Sequence, residues 1–276
     1  MNLYQFLKTY LEELVTKKLP SIDVNELHLY YDVPIMYAYP SFLNIKKEKV
    51  TINDIMKVMA YLLTQNKYCS INFERYYEDF CIALNDFDPS YISILTPNSL
   101  YSVLKQFVED DDWTFWQRDL ITFSLRNMSE NLISCANYLL NNFTNYETYI
   151  KTINNNPLKA YKQILKVRGF GEYFTKKFLN YLGCFELFNV DRLLINIFKK
   201  YDDSIVDNNS VLSFIGRQAK IASVTPYTIN TMLSLVLHGR FYIHNKFIKS
   251  TRGNGNLVNN LKNALAKSIN DGLLTL

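Results

Sequence analysis

The stretch Ile164 to Leu182, ILKVRGFGEYFTKKFLNYL, holds an amphipathic run, a Gly169-Phe170-Gly171 turn and a second amphipathic run that begins at once. Two glycines around one residue let the chain reverse sharply and bring backbone N–H groups, with the positive end of the following helix, up to an anion. From Lys162 to Lys177, Lys162, Lys166, Arg168, Lys176 and Lys177 stand against Glu172. Such cations add salt-dependent contacts to a phosphate backbone. Gly-x-Gly also joins helices that merely pack, so the turn by itself leaves phosphate binding and simple packing both open.

Twenty residues beyond Gly171, FNVDRLLINIFKKY sets Asp191 just ahead of an apolar-periodic helix. An aspartate there is an N-cap whose carboxylate accepts an N–H of the first turn, typically worth about 1 kcal/mol. A carboxylate fixed at a helix start and facing a cleft can also stabilise a sugar that becomes cationic, or orient a water towards it. The two uses are compatible. Trp113, Phe115, Trp116 and Tyr173 offer faces on which an unstacked base could rest, with core packing as the competing use for at least one tryptophan.

Other chemistries lack their patterns. Cys69, Cys81, Cys135 and Cys184 form no CxxC pair, which leaves zinc and iron–sulfur ligation without their usual spacing and points to buried, reduced thiols. His28, His238 and His244 lie far apart without an HExxH or serine-elbow pattern and read as structural. No GxxxxGK[ST] or GxGxxG is present, so no nucleotide cofactor is expected. The run Glu109 to Asp112 reads as a solvated acidic loop rather than a metal site. Arg240, Lys246, Lys249 and Arg252 make a basic stretch that suits either DNA or solvent.

The elements that must position these residues are helices. Among 276 residues only 8 are Gly and 7 Pro, and most intervals between them repeat apolar residues at three- and four-residue spacing. With 48% hydrophobic and 15% aromatic residues and a net charge of +4, the chain is globular and permits a polyanionic partner without demanding one. Helices are expected over Leu3–Lys17, Ile52–Thr64, Phe73–Leu84, Ser99–Val108, Trp116–Leu125 and Glu130–Asn141. Further helices are expected over Pro157–Lys166, Glu172–Leu182, Arg192–Tyr201, Ser210–Ala222, Tyr227–Leu237 and Leu257–Ile269, and a short strand only near Leu27–Tyr31. Thr51 with Asp54, Asp207 with Ser210, and Thr225-Pro226 mark helix starts. The N-terminal segment alternates apolar and charged residues without a signal-peptide layout, and no apolar run is long enough for a bilayer, so an intracellular protein is expected.

Together, Val167-Arg168-Gly169-Phe170-Gly171 and Asn189-Val190-Asp191 resemble the helix-hairpin-helix DNA glycosylases. Their shared pattern runs hydrophobic-x-Gly-hydrophobic-Gly, a helix, then hydrophobic-Val-Asp opening another helix. The resemblance spans Trp113 to Tyr242 and implies an all-α, two-lobed fold. Residues 1–112 would be an N-terminal helical region, 113–250 the glycosylase-like domain, and 251–276 a flexible link and last helix. It implies a monomer acting on double-stranded DNA, with Asp191 as the essential aspartate and the hairpin gripping the backbone through Gly169, Phe170, Gly171, Arg168, Lys166, Lys176 and Lys177. No cofactor or iron–sulfur cluster is implied, although the hairpin could hold a monovalent cation.

Tyr173 stands where bifunctional members carry their lysine, which implies a monofunctional route with water as nucleophile. Lys176 and Lys177, further along the helix, keep a displaced lysine open. Leu125 to Glu130 resembles the family's minor-groove turn, with Arg126 and Asn127 as the wedge, or else Asn127 to Ser129 cap a helix from Glu130. Trp113 and Trp116 would line a base pocket between the lobes. A DNA-binding module without chemistry, with Asp191 only a cap, and a related enzyme acting on a modified thymine or other unusual nucleobase are the alternatives.

Overall fold

Helix starts are written into local side chains. Asn2 with Gln5, Thr51 with Asp54, Thr114 with Gln117 and Asp207 with Ser210 each form a capping box, satisfying N–H groups that a first turn leaves without partners. Pro89, Pro157 and Pro226 open others, where a missing N–H costs nothing. The structure is a computed structural model and describes residues 1–31, 40–46, 49–66, 69, 71–108, 114–241, 244, 246–248 and 255–276.

The chain is mainly helical. In order come α1 (Leu3–Lys18), α2 (His28–Tyr31), α3 (Ile52–Thr64), α4 (Tyr77–Ala83), α5 (Pro89–Ser93), α6 (Pro97–Val108) and α7 (Phe115–Asn142). Then follow α8 (Tyr146–Asn155), α9 (Pro157–Ile164), α10 (Glu172–Tyr181), α11 (Leu193–Phe198), α12 (Asn208–Ala222) and α13 (Pro226–His238). Strands β1 (Arg240–Phe241) and β2 (Lys246–Phe247) pair antiparallel, with Arg240 opposite Phe247, before α14 (Gly255–Asn270). No helix among the described residues is long and apolar enough to cross a membrane.

The helices gather into two compact units, Met1–Tyr37 with Phe185–Leu276, and Ala38–Cys184. In the first, α13 is the central helix, packed against α1, α2, α12 and α14. Leu7, Leu11, Phe198, Phe214, Met232, Val236 and Phe241 are among its buried core. In the second, α7 packs against α3, α5 and α6, while α10 packs against α3 and α9. The boundaries thus fall at 37/38 and 184/185 rather than at the 112/113 expected from sequence, because α1 buries its apolar face against helices from the far end of the chain. The acidic run 109–112, Trp113, Lys249, Arg252, Gly253 and Asn254 lie outside the described residues.

Three local expectations are corrected. Leu27–Tyr31 is helical, not extended, because Asp23 caps a short 3-10 turn that runs on into α2; the small β-ladder lies instead at residues 240–247. Residues 116–141 form one helix of 28 residues with its flanks, so the turn expected at Leu125–Glu130 does not exist. No Gly or Pro interrupts it, and its polar residues bond inward: Asn127 Nδ2 donates to the Phe123 carbonyl at 3.1 Å and Ser129 Oγ to that of Leu125 at 2.8 Å. Ser129 is buried inside the helix and caps nothing. Cys135 and Cys184 are buried free thiols, whereas Cys69 and Cys81 are half-buried.

Candidate functional site

The hairpin is built on apolar anchors. Between α9 and α10 the chain turns through Val167 N–H to Ile164 O at 2.9 Å and Phe170 N–H to Val167 O at 3.0 Å. Val167 and Phe170 are buried, and Phe170 stands edge-on to Phe178 of α10 with centroids 5.7 Å apart. The two glycines differ in kind. Gly169 has φ +86°, and a Cβ there would meet Asn131 Nδ2 and Leu63 Cδ2 at 2.6 Å, so no other residue fits without displacing α7 or α3 side chains. Gly171 caps α10 at φ −80°, and a Cβ on it would meet nothing within 4 Å. Its outer face is open to a ligand.

The N–H groups of Gly171 and Glu172 donate to no acceptor among the described residues. They are the orphan donors of a helix start, with the dipole behind them. The hairpin itself is fastened to the middle of α7. Arg168 N–H donates to Ser134 Oγ at 2.9 Å, and the Arg168 guanidinium pairs with Glu130. Arg168 is therefore already partnered, and a phosphate would compete with Glu130 for it. Lys162 and Lys166 are exposed, whereas Lys176 and Lys177 are half-buried. Burial holds the Lys177 ammonium below its ordinary pKa.

The remaining expected residues separate. Tyr173 is 55% exposed on the first turn of α10, and Trp116 is 76% exposed at the start of α7. Arg126 lies over the Tyr101 ring at 5.2 Å, on the helical stretch that replaces the expected turn. Asn127 faces a cavity of about 400 Å³ whose lining includes Leu63, Asn66, Cys69, Phe123 and Asn131 and no charged side chain among the described residues. Leu63 and Asn131 are also the neighbours of Gly169, so this cavity adjoins the hairpin.

Asp191 belongs to the other unit. Its Oδ1 accepts the Leu193 N–H at 2.8 Å and its carbonyl accepts the Leu194 N–H at 3.0 Å, a turn that leads into α11 one residue ahead of Arg192, which stands at the N-cap with no side-chain capping bond. Its Oδ2 is taken separately, by His238 Nε2 at 2.6 Å. The pair is partly open, with 26% of the Asp191 side chain and 35% of that of His238 exposed. Asn230, also on α13, donates its Nδ2 to the Asn189 carbonyl at 3.1 Å. One helix therefore holds the segment Asn189 to Asp191 at both ends.

His238 and Asn230 are the residues that sequence reasoning missed. His238 was expected to be structural, and it lies 47 positions from Asp191, where no periodicity links the two. The other histidines do serve structure: His244 bridges the buried Tyr30 hydroxyl at 2.5 Å and Glu26 at 2.7 Å, and His28 Nδ1 lies 2.6 Å from the Asn25 carbonyl. No group of three or more His, Cys, Asp or Glu among the described residues is arranged to hold a metal. Comparison of the chain with protein-family models, curated proteins and solved structures gives no match.

Proposed function

We propose that the protein is a monofunctional DNA base-excision glycosylase of the helix-hairpin-helix type, with Asp191 as its catalytic carboxylate. The observation that carries this is the state of Asp191: the Leu193 N–H holds one oxygen, His238 holds the other, and the carboxylate stays within reach of solvent. A carboxylate that accepts two hydrogen bonds is fixed in one orientation, which suits it to face a positive charge developing on a sugar. The Gly171 and Glu172 N–H groups, with the exposed Lys166 of the same hairpin, supply the phosphate grip.

In this scheme the duplex binds through the hairpin and the target nucleotide leaves the stack. The glycosidic bond breaks towards the base, Asp191 stabilises the cationic sugar, and a water adds to it. A free base and an abasic site result. Tyr173, in the position of the family's lysine, supplies no amine for strand cleavage.

The test incubates the protein and its Asp191→Asn variant with duplexes containing uracil, 8-oxoguanine, alkylated purines, mismatched adenine or hydroxymethyluracil, with and without alkali. Strand breaks that require alkali and vanish in the variant are the expected result. DNA bound equally by both proteins, with no abasic site on any duplex, would leave a binding module in which Asp191 only holds the turn into α11.

A further inference from the structure

The turn into α11 uses one Asp191 carboxylate oxygen, which the Leu193 N–H holds, and leaves the second with no local role. We infer that His238 is a positioning residue for Asp191: its imidazole, protonated on Nε2, fixes the second oxygen and holds the carboxylate in a single orientation for the reaction. This rests on the reading of Asp191 as the catalytic carboxylate.

A carboxylate oxygen accepts hydrogen bonds, so the 2.6 Å contact is the one in which His238 Nε2 donates, as the inference requires. The place of the imidazole is set by the backbone. His238 is the last residue of α13, and Gly239 follows in the left-handed region at φ +61°, where a Cβ would press on Ile248 and Leu257 at 3.0 Å. The helix must end there, which fixes the direction from which the ring reaches Asp191. The Asn230 bond to Asn189 steadies the other end of the segment. A carboxylate fixed in this way need not reorganise as charge appears on the sugar, and misplacement of a reacting group by about 1 Å can cost on the order of 10²-fold in rate. The Tyr30–His244–Glu26 arrangement differs, because Tyr30 is wholly buried and the network ties α2 to the segment after β1.

The experiment uses the full chain with His238→Ala, His238→Gln and Asp191→Asn. Single-turnover excision is measured on a duplex that the wild type opens, DNA affinity is measured separately, and the imidazole tautomer is read by nitrogen-15 NMR. His238→Ala should lower the excision rate about 10²-fold with little change in affinity. His238→Gln, whose amide can still donate, should recover most of the rate. The wild-type ring should be protonated on Nε2, and Asp191→Asn should abolish that preference. A folded His238→Ala protein with the wild-type rate, or a tautomer indifferent to Asp191→Asn, overturns the inference. If Asp191→Asn excises normally, or no duplex is opened, the proposed function falls instead, and the tautomer alone decides whether the ring holds the carboxylate.

Discussion

The hairpin and the Asp191 segment use opposite strategies. At Gly171 and Glu172 the backbone leaves its donors unsatisfied and its surface bare, so affinity would come from what is missing. At Asp191 every oxygen has a partner, so any chemistry would come from restraint. Binding an anion profits from open valence, whereas stabilising a transient cation profits from a charge that cannot turn away. Each strategy predicts a different response to substitution.

The largest separation should come from Asp191→Asn, which keeps the shape but removes the charge. Excision should fall by at least about 10²- to 10³-fold while DNA affinity stays within about twofold. Equal losses in both would erase the division of labour. Next comes the contrast between the glycines. Gly169→Ala forces a Cβ into Asn131 and Leu63 at positive φ, and should lower unfolding free energy by about 2–4 kcal/mol in denaturant titrations. Gly171→Ala meets no such wall, and should cost less than about 1 kcal/mol of stability while weakening DNA binding by crowding the N–H groups.

Smaller still is Lys166→Ala, which should weaken binding to all duplexes alike and flatten the dependence of log affinity on log salt by about 0.9. The least effect is expected from acid. Hydrogen bonds from Ser204, then the Arg217 guanidinium, hold Asp202 below the usual carboxyl range, and those from Ser210 do so for Asp207. Depressed carboxyls stabilise the fold above the unfolded value of about 4, and that help is lost as pH falls through the lower folded values. Thermal unfolding of Asp207→Asn should therefore be less acid-sensitive than that of the wild type.

What was legible in the sequence follows the range of the forces involved. The capping boxes at Thr51 and Asp207, and α3 and α13 to within a residue, rest on partners three or four positions apart. The hairpin likewise needs only Val167 to Gly171 in a row, although its dependence on Asn131 and Leu63 does not show. The turn expected at Leu125 to Glu130 rested on resemblance or on Asn127 to Ser129 as caps, whereas Asn127 and Ser129 each bond a carbonyl one turn back inside the helix. The small ladder after α13 was missed because two residues carry no alternation. His238 could not be read at all, because only tertiary packing carries α13 to Asp191.

The unit that holds Asp191 is assembled from both arms of the chain, with residues 38–184 interposed. During synthesis the apolar stripe of α1, with Leu3, Phe6, Leu7 and Leu11, leaves the ribosome long before α12 and α13 exist to cover it. At translation rates of about 5–20 residues per second, that stripe waits on the order of ten seconds. The intervening unit has no such delay and can fold as it emerges. The hairpin would then be complete on a nascent chain that cannot yet arrange Asp191, so under the proposed function a grip on phosphate would precede any chemistry on what is held.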